Sequence, residues 1–253
     1  MAKRPKLGQH FLHDASVLSR IARALPLGSG TPVVEIGPGE GALTAHLLES
    51  GARVTAVELD RGLAARLREQ YAGEERFALV ESDVLEADLD ALLSAEEPGY
   101  VFGNLPYYIT SPIIRRILPM SDRVRAAAFL IQKEVAERVT ARKGSRDYGF
   151  LSAICRLWAE PEYLFTVKPG SFRPPPRVDS AVIRLTLRTG AVVEDGLVAF
   201  LEAAFRQPRK TLLNNLTALY ERERVAAFPE AKLRAQQMDV EELAGFWKTL
   251  EGR

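Results

Sequence analysis

The chain has 253 residues, 47% of them hydrophobic and 26% charged, and a formal net charge of +1, which suits one large soluble domain or a main domain with a small companion. No apolar run approaches the roughly 18 residues that cross a bilayer, and the basic start MAKRPKLGQHFL has no apolar core long enough for a secretion signal. A single cysteine, Cys155, excludes an internal disulfide and fits a reducing, cytoplasmic setting.

The charge is unevenly placed. Residues 40–100 hold 14 acidic and 5 basic side chains, whereas residues 115–147 hold 9 basic and 4 acidic ones. Residues 1–23 carry five Lys or Arg against Asp14 alone. Such asymmetry predicts a polyanion partner for one face.

In chain order, apolar runs at 33–36, 53–59, 77–80, 100–102 and 126–131 alternate with helical patterns such as 43–48 and 62–70. Strand–helix alternation of this kind predicts an α/β fold, a doubly wound and mostly parallel sheet covered on both faces. Residues 163–167 and 180–187, joined by a Pro-rich loop, read as an antiparallel pair at the sheet edge. Cys155 lies in the apolar stretch 151–158 and reads as packing. After about residue 190 only helical patterns remain, at 196–205, 209–220, 222–228 and 240–250. The expected division is a catalytic domain over 1–189 and a small all-helical domain over 190–253.

The first strand runs into VVEIGPGEGALTAHLL. Gly37, Gly39 and Gly41 follow it directly and open a helix, where a doubly wound sheet takes a nucleotide-like ligand. Their freedom at positive φ permits a tight turn and close approach of a ligand to the amides. Glu35, two residues before Gly37, could meet a ligand cation. The second strand ends in AVELD, putting Glu58 where a carboxylate accepts hydrogen bonds from ribose hydroxyls, with Leu59 beside it. The third ends in VESDVLE, where Asp83 would meet an adenine amino group and Val84 would pack the ring. These features together resemble the class I S-adenosylmethionine-dependent methyltransferases, and the resemblance implies that cofactor.

FGNLPYYIT follows the fourth strand, at the same sheet edge. Asn104-Leu105-Pro106-Tyr107 resembles the (N/D/S)-P-P-(Y/F/W) signature of methyltransferases acting on exocyclic amines of nucleobases. An aromatic amine is a poor nucleophile because its lone pair is delocalised into the ring. Two acceptors, the Asn104 side-chain oxygen and the Leu105 carbonyl, could hold its hydrogens and favour a pyramidal nitrogen. Pro106 stiffens the loop, and Tyr107 offers a face to an extruded base. The three histidines, His10, His13 and His46, make no metal-ligand set.

Three further stretches, GQHFL at 8–12, SFRPPPRVDSAV at 171–182 and FRQPRKTLLNNL at 205–216, complete a resemblance to the rRNA adenine N6,N6-dimethyltransferases, and best to their bacterial small-subunit branch. It runs from about residue 8 to residue 216. It implies cofactor contacts at His10, Leu12, Gly37, Glu58, Asp83 and Asn104, and a target-amine site at Asn104, Leu105 and Tyr107, with Phe172 stacking the other face of the adenine. The implied substrate is two adjacent adenosines in a hairpin loop near the 3′ end of 16S rRNA, in the small subunit or its precursor. Arg115, Arg116, Arg142, Lys143 and Arg146 would form a phosphate-binding face, with Arg209 and Lys210 helping from the helical segment. Family members often carry Asn where His10 stands, and Pro208 interrupts a run usually made of consecutive arginines. Nothing in the sequence suggests an obligate oligomer. Large-subunit rRNA methylation and a ribosome-assembly role with incidental methylation are the alternatives.

Overall fold

The computed structural model describes residues 10–252. Gly8 and Gln9 of the GQHFL stretch and the basic Lys3, Arg4 and Lys6 lie outside the described residues. The chain begins with a two-residue strand, β1 (Phe11–Leu12), and helix α1 (Ala15–Ala22). Four strand–helix units follow: β2 (Pro32–Ile36) with α2 (Ala42–Glu49), β3 (Arg53–Glu58) with α3 (Arg61–Gln70), β4 (Phe77–Glu81) with α4 (Leu89–Leu92), and β5 (Gly99–Asn104) with α5 (Thr110–Ile117). Strand β6 (Val124–Gln132) leads through α6 (Lys133–Thr140) and α7 (Phe150–Trp158) to β7 (Ala159–Val167), β8 (Phe172–Arg173) and β9 (Ser180–Leu187). The last segment holds α8 (Asp195–Ala204), α9 (Leu212–Leu216), α10 (Arg222–Ala226) and α11 (Val240–Glu251).

Seven strands form one sheet in the order β4-β3-β2-β5-β6-β9-β7. The pairs among β2 to β6 are parallel, whereas β9 runs antiparallel to both β6 and β7. The expected edge hairpin is therefore present, with β7 outermost. The order reverses between β2 and β5, which opens a crevice at the carboxyl ends of those two strands. β1 and β8 pair separately, Phe11 opposite Arg173 and Leu12 opposite Phe172, a contact across more than 150 residues that local pattern gives no hint of.

The strands are apolar because both of their faces are covered. Along β6, Ala127, Phe129 and Ile131 join one buried cluster with Ile113, Ile114 and Ile117 of α5. The alternate residues Ala126, Ala128 and Leu130 join the opposite cluster with Leu18 and Ile21 of α1 and Leu47 of α2. That is the period of two expected of a pleated strand. Helix starts are fixed by side chains: Asp14 Oδ1 accepts the Ser16 and Val17 N–H groups, and Asp60 Oδ1 accepts those of Gly62 and Leu63. Cys155 is fully buried, as its apolar neighbours predict.

A third cluster gathers Phe200, Leu212, Leu216, Leu243, Phe246 and Trp247 of the last segment, and it also takes in Ala141, Tyr148 and Ala153. The helical segment is thus packed onto the turn before α7. Lys143 fastens the same junction, its Nζ 2.8 Å from Asp239 Oδ2 and 3.0 Å from Glu242 at the start of α11. The helix expected over 209–220 is only α9, because Arg206 to Lys210 form a turn held by Asn215, whose Nδ2 donates to the Ala204 and Gln207 carbonyls.

Candidate functional site

The crevice between β2 and β5 is a cavity walled by the ends of β2, β3, β4 and β5 and by residues 10–12. Its floor is the Gly-rich turn. Gly37, Gly39 and Gly41 all have positive φ, at 64°, 60° and 80°, a region where other residues are strained. Gly37 N–H donates to the Val57 carbonyl, and Gly39 N–H donates to Glu58 Oε2 at 3.2 Å. A Cβ on Gly39 would lie 3.1 Å from the Phe11 ring, so the turn is pressed against β1. Gly41 does not line the cavity. It starts α2, accepts a hydrogen bond from the Tyr71 hydroxyl on its carbonyl, and faces Leu67, which a Cβ would meet at 2.9 Å. Its place in the motif reflects helix packing rather than ligand approach.

Three carboxylates converge on the cavity. Glu58, only 4% exposed, has Oε2 on Gly39 N–H and Oε1 on Asp60 N–H at 2.8 Å. Each oxygen keeps a further lone pair. Burial pushes its pKa up, against these two backbone hydrogen bonds. Glu35, 2% exposed, accepts a hydrogen bond from Thr44 Oγ1 at 2.6 Å. Burial pushes its carboxyl up to about 7, with Glu58 adding to the effect and Thr44 opposing it. Asp83 is oriented by the Leu85 N–H on its Oδ1 at 2.9 Å, with Val84 buried beside it. Leu59 also lines the cavity.

The far wall is the end of β5. Gly103 lets β5 approach β2, since a Cβ there would sit 3.1 Å from the Ile36 carbonyl oxygen and 2.6 Å from Leu105. Asn104 Nδ2 donates to the His10 carbonyl at 3.1 Å. A carbonyl only accepts, so the amide's orientation is fixed and Oδ1 remains its acceptor. Leu105 N–H is tied to the Leu130 carbonyl. The Pro106 carbonyl accepts from Ile109 N–H and Thr110 Oγ1, which starts α5 immediately after the loop. The Tyr107 hydroxyl lies 2.9 Å from Ser180 Oγ on β9.

His10, Leu12, Glu35, Gly37, Gly39, Glu58, Leu59, Asp83, Val84, Asn104, Leu105, Pro106 and Tyr107 all line this one cavity. Phe172 does not. It is 2% exposed and is packed into the buried cluster that holds Leu12, Leu18 and Leu130. A stacking role for Phe172 is not what this arrangement presents. Phe11, Tyr108 and Leu130 line the cavity without having been expected there. Phe11 comes in through the β1–β8 pairing. Tyr108 stands 63% exposed at the mouth, and its adjacency to Tyr107 was the only local signal.

The basic residues divide. Arg142, Arg146, Arg209 and Lys210 are exposed, as is Arg115, whose guanidinium lies 5.5 Å from the Phe150 ring. Arg116 instead donates to the Leu85 and Ala87 carbonyls after β4, and Lys143 is occupied by Asp239 and Glu242. These two serve the fold, since buried or anchored carbonyls and paired acids already use their donors. Among the described residues no group of three or more His, Cys, Asp or Glu is arranged to hold a metal, and no helix is long and apolar enough to cross a membrane.

A doubly wound sheet with acids on three successive strand ends and an amide-and-tyrosine loop on the fourth defines a class I S-adenosylmethionine-dependent methyltransferase. The residues present suit that cofactor: carboxylates for a cationic, ribose-bearing molecule, and a turn at Gly37 and Gly39 where the absent Cβ atoms leave room for close approach. More narrowly, the chain belongs to the ribosomal RNA adenine dimethylase family, whose model matches residues 1–245. It is 44% identical to the Ribosomal RNA small subunit methyltransferase A of Acidobacterium capsulatum, across 99% of this chain and 92% of that protein. To the protein of the same name from Koribacter versatilis it is 42% identical, covering 98% and 95%. Among solved structures, the dimethyladenosine transferase from Plasmodium falciparum shares the fold with a TM-score of 0.83 at 22% identity, covering 96% of this chain and 98% of that one. The 23S rRNA methyltransferase ErmE superposes with a TM-score of 0.69 at 30% identity, covering 95% and 99%.

Proposed function

We propose that this chain dimethylates N6 of two adjacent adenosines in a hairpin loop near the 3′ end of small-subunit rRNA, in the subunit or its precursor, acting in the cytoplasm during ribosome biogenesis. One observation carries the reading: Asn104, fixed by the His10 carbonyl, keeps a directed acceptor at the wall that faces Glu58 and Asp83. An acceptor so placed is what a delocalised amine needs beside a methyl donor.

Bound in the cavity, S-adenosylmethionine supplies an electrophilic methyl group on a sulfonium. Glu58 would take the ribose hydroxyls, its oxygens already aimed by two backbone N–H groups. Asp83 and Val84 would take the adenine, and Glu35 and the turn at Gly37 and Gly39 would face the amino-acid end. Asn104 Oδ1 and the Leu105 carbonyl would each accept one amine hydrogen of the target base, concentrating its lone pair toward the methyl group. Tyr107, held by Ser180, would support the extruded ring. The exposed Arg115, Arg142, Arg146, Arg209 and Lys210 would meet RNA phosphates. The protein would act as a monomer and without a metal.

The deciding experiment incubates the protein with labelled S-adenosylmethionine and small subunits lacking the modification, then maps the label on both rRNAs. Two neighbouring dimethyladenosines near the 3′ end of the small-subunit rRNA establish the reading. Label confined to large-subunit rRNA, as the ErmE likeness would allow, overturns the choice of substrate. Tight subunit binding with no label overturns the catalytic reading.

A further inference from the structure

Asn104 and Tyr107 are each held by groups outside their own loop, and His10 is common to both. Its carbonyl accepts the Asn104 amide at 3.1 Å. Its imidazole lies along the Tyr107 ring, with centroids 6.1 Å apart and planes inclined by 29°. Its Nδ1 is 2.7 Å from the Pro174 carbonyl. That carbonyl can only accept, so Nδ1 carries the proton and the plane of the imidazole is set. Tyr107 is held again at its hydroxyl by Ser180, which is fully buried on β9. Pro174 follows β8 and Ser180 opens β9, so the two ends of the β8–β9 connection anchor the Tyr107 ring, one through His10 and one directly.

We infer that His10, besides lining the cofactor cavity, is a positioning residue for the target base, acting through Asn104 and Tyr107. Any residue at position 10 could offer the main-chain carbonyl. The part special to this chain is the imidazole, which combines a flat face for Tyr107 with an N–H for Pro174. Phenylalanine supplies the face without the donor, and alanine supplies neither. If the ring of Tyr107 tilts, a base stacked on it tilts too, and the amine leaves the line set by Asn104 and Leu105. Small misplacements of this kind slow a reaction without weakening substrate binding in proportion. This inference rests on the amine-methylation reading given above.

The test compares wild type with His10→Ala, His10→Phe, Ser180→Ala and the His10→Ala/Ser180→Ala double variant. Single-turnover methylation is followed at saturating small subunits and cofactor, and the cofactor Kd is measured separately by calorimetry. His10→Ala is expected to lower the saturated rate about tenfold, a loss that saturating cofactor keeps apart from any change in cofactor Kd. His10→Phe, which keeps the ring and is the variant least prone to misfold, should recover part of the loss. The double variant should lose less than the product of the single losses, because both changes act on one ring. A saturated rate unchanged in both His10 variants overturns the inference, as do strictly multiplicative losses in the double variant. A wild type that leaves adenine N6 unmodified removes the enzymatic reading and this inference with it. An active wild type with indifferent His10 variants removes the inference alone.

Discussion

Glu58 Oε2 accepts the N–H of Gly39 at 3.2 Å, so the acid that ends β3 also fixes the turn that ends β2. One side chain therefore shapes two walls of the cavity. Replacing Glu58 by Ala removes the ribose acceptor and also leaves the Gly39 and Asp60 N–H groups without their partner. Cofactor affinity should fall by about 1–3 kcal/mol, and the melting temperature should fall with it. Glu58→Gln keeps one acceptor and should lose less on both counts. Calorimetric titration with S-adenosylhomocysteine and thermal unfolding read the two effects, and unchanged affinity in Glu58→Ala would remove Glu58 from the ribose.

Asn104→Ala should leave the cofactor Kd within about tenfold while lowering methyl transfer by at least about two orders of magnitude, the usual loss when one directed transition-state partner is removed. Full activity in that variant, measured in single turnovers, would end the amine-holding role.

Glu35 sets a pH dependence whose sign is opposite to that of a salt-bridged acid. Its folded pKa is about 7, above the ordinary 4.5. The folded state therefore holds its proton more tightly than the unfolded chain. Its contribution is fully present below about pH 4.5 and declines as the pH rises to about 7, by about 3 kcal/mol in all. Glu35→Gln cannot ionise and still offers an oxygen to Thr44. In urea unfolding, the variant should gain on wild type between pH 4.5 and pH 7, and a gap that does not change with pH would refute this account.

Gly103→Ala tests the close approach of β2 and β5. The added methyl would lie 2.6 Å from Leu105 Cδ2 and 3.1 Å from the Ile36 carbonyl oxygen. Destabilisation of about 1–3 kcal/mol is expected from overpacking, together with lower activity, because Leu105 would have to shift. A denaturant midpoint equal to that of wild type would show that the strands can part freely.

Arg142 and Arg146 are exposed, whereas Lys143 between them is engaged by Asp239 and Glu242. Subunit binding by an Arg142→Ala/Arg146→Ala variant should weaken and lose up to about one unit of salt slope per phosphate contact removed. Lys143→Ala should change that slope little, and its exposed ion pairs should be worth at most about 1 kcal/mol of stability. Equal changes in slope for the two variants would put Lys143 on the RNA.

How much of this was legible in the sequence follows from how local each signal is. Hydrophobic period, glycines directly after a strand, and acids at strand ends are written within a few residues of one another, so β2 to β6, the turn at Gly37 and Gly39, Glu58, Asp83 and the NLPY loop could all be read from the chain. Local pattern does not set Gly41 apart from Gly37 and Gly39, because the packing of Leu67 and Tyr71 against it comes from distant residues. The burial of Phe172 and the entry of Phe11 into the cavity escape local pattern because the pairing of β1 with β8 joins residues more than 150 apart. Arg116 and Lys143 read as free charges because their partners, the carbonyls after β4 and the acids of α11, are distant in sequence. By itself, then, the sequence determined the parallel sheet, the placement of the cofactor turn and the chemistry of the amine loop. Only the tertiary structure decided that Phe11 lines the cavity, that Arg116 and Lys143 have partners within the fold, and that His10 joins Asn104 to Tyr107, because each depends on contacts between segments that no local pattern encodes.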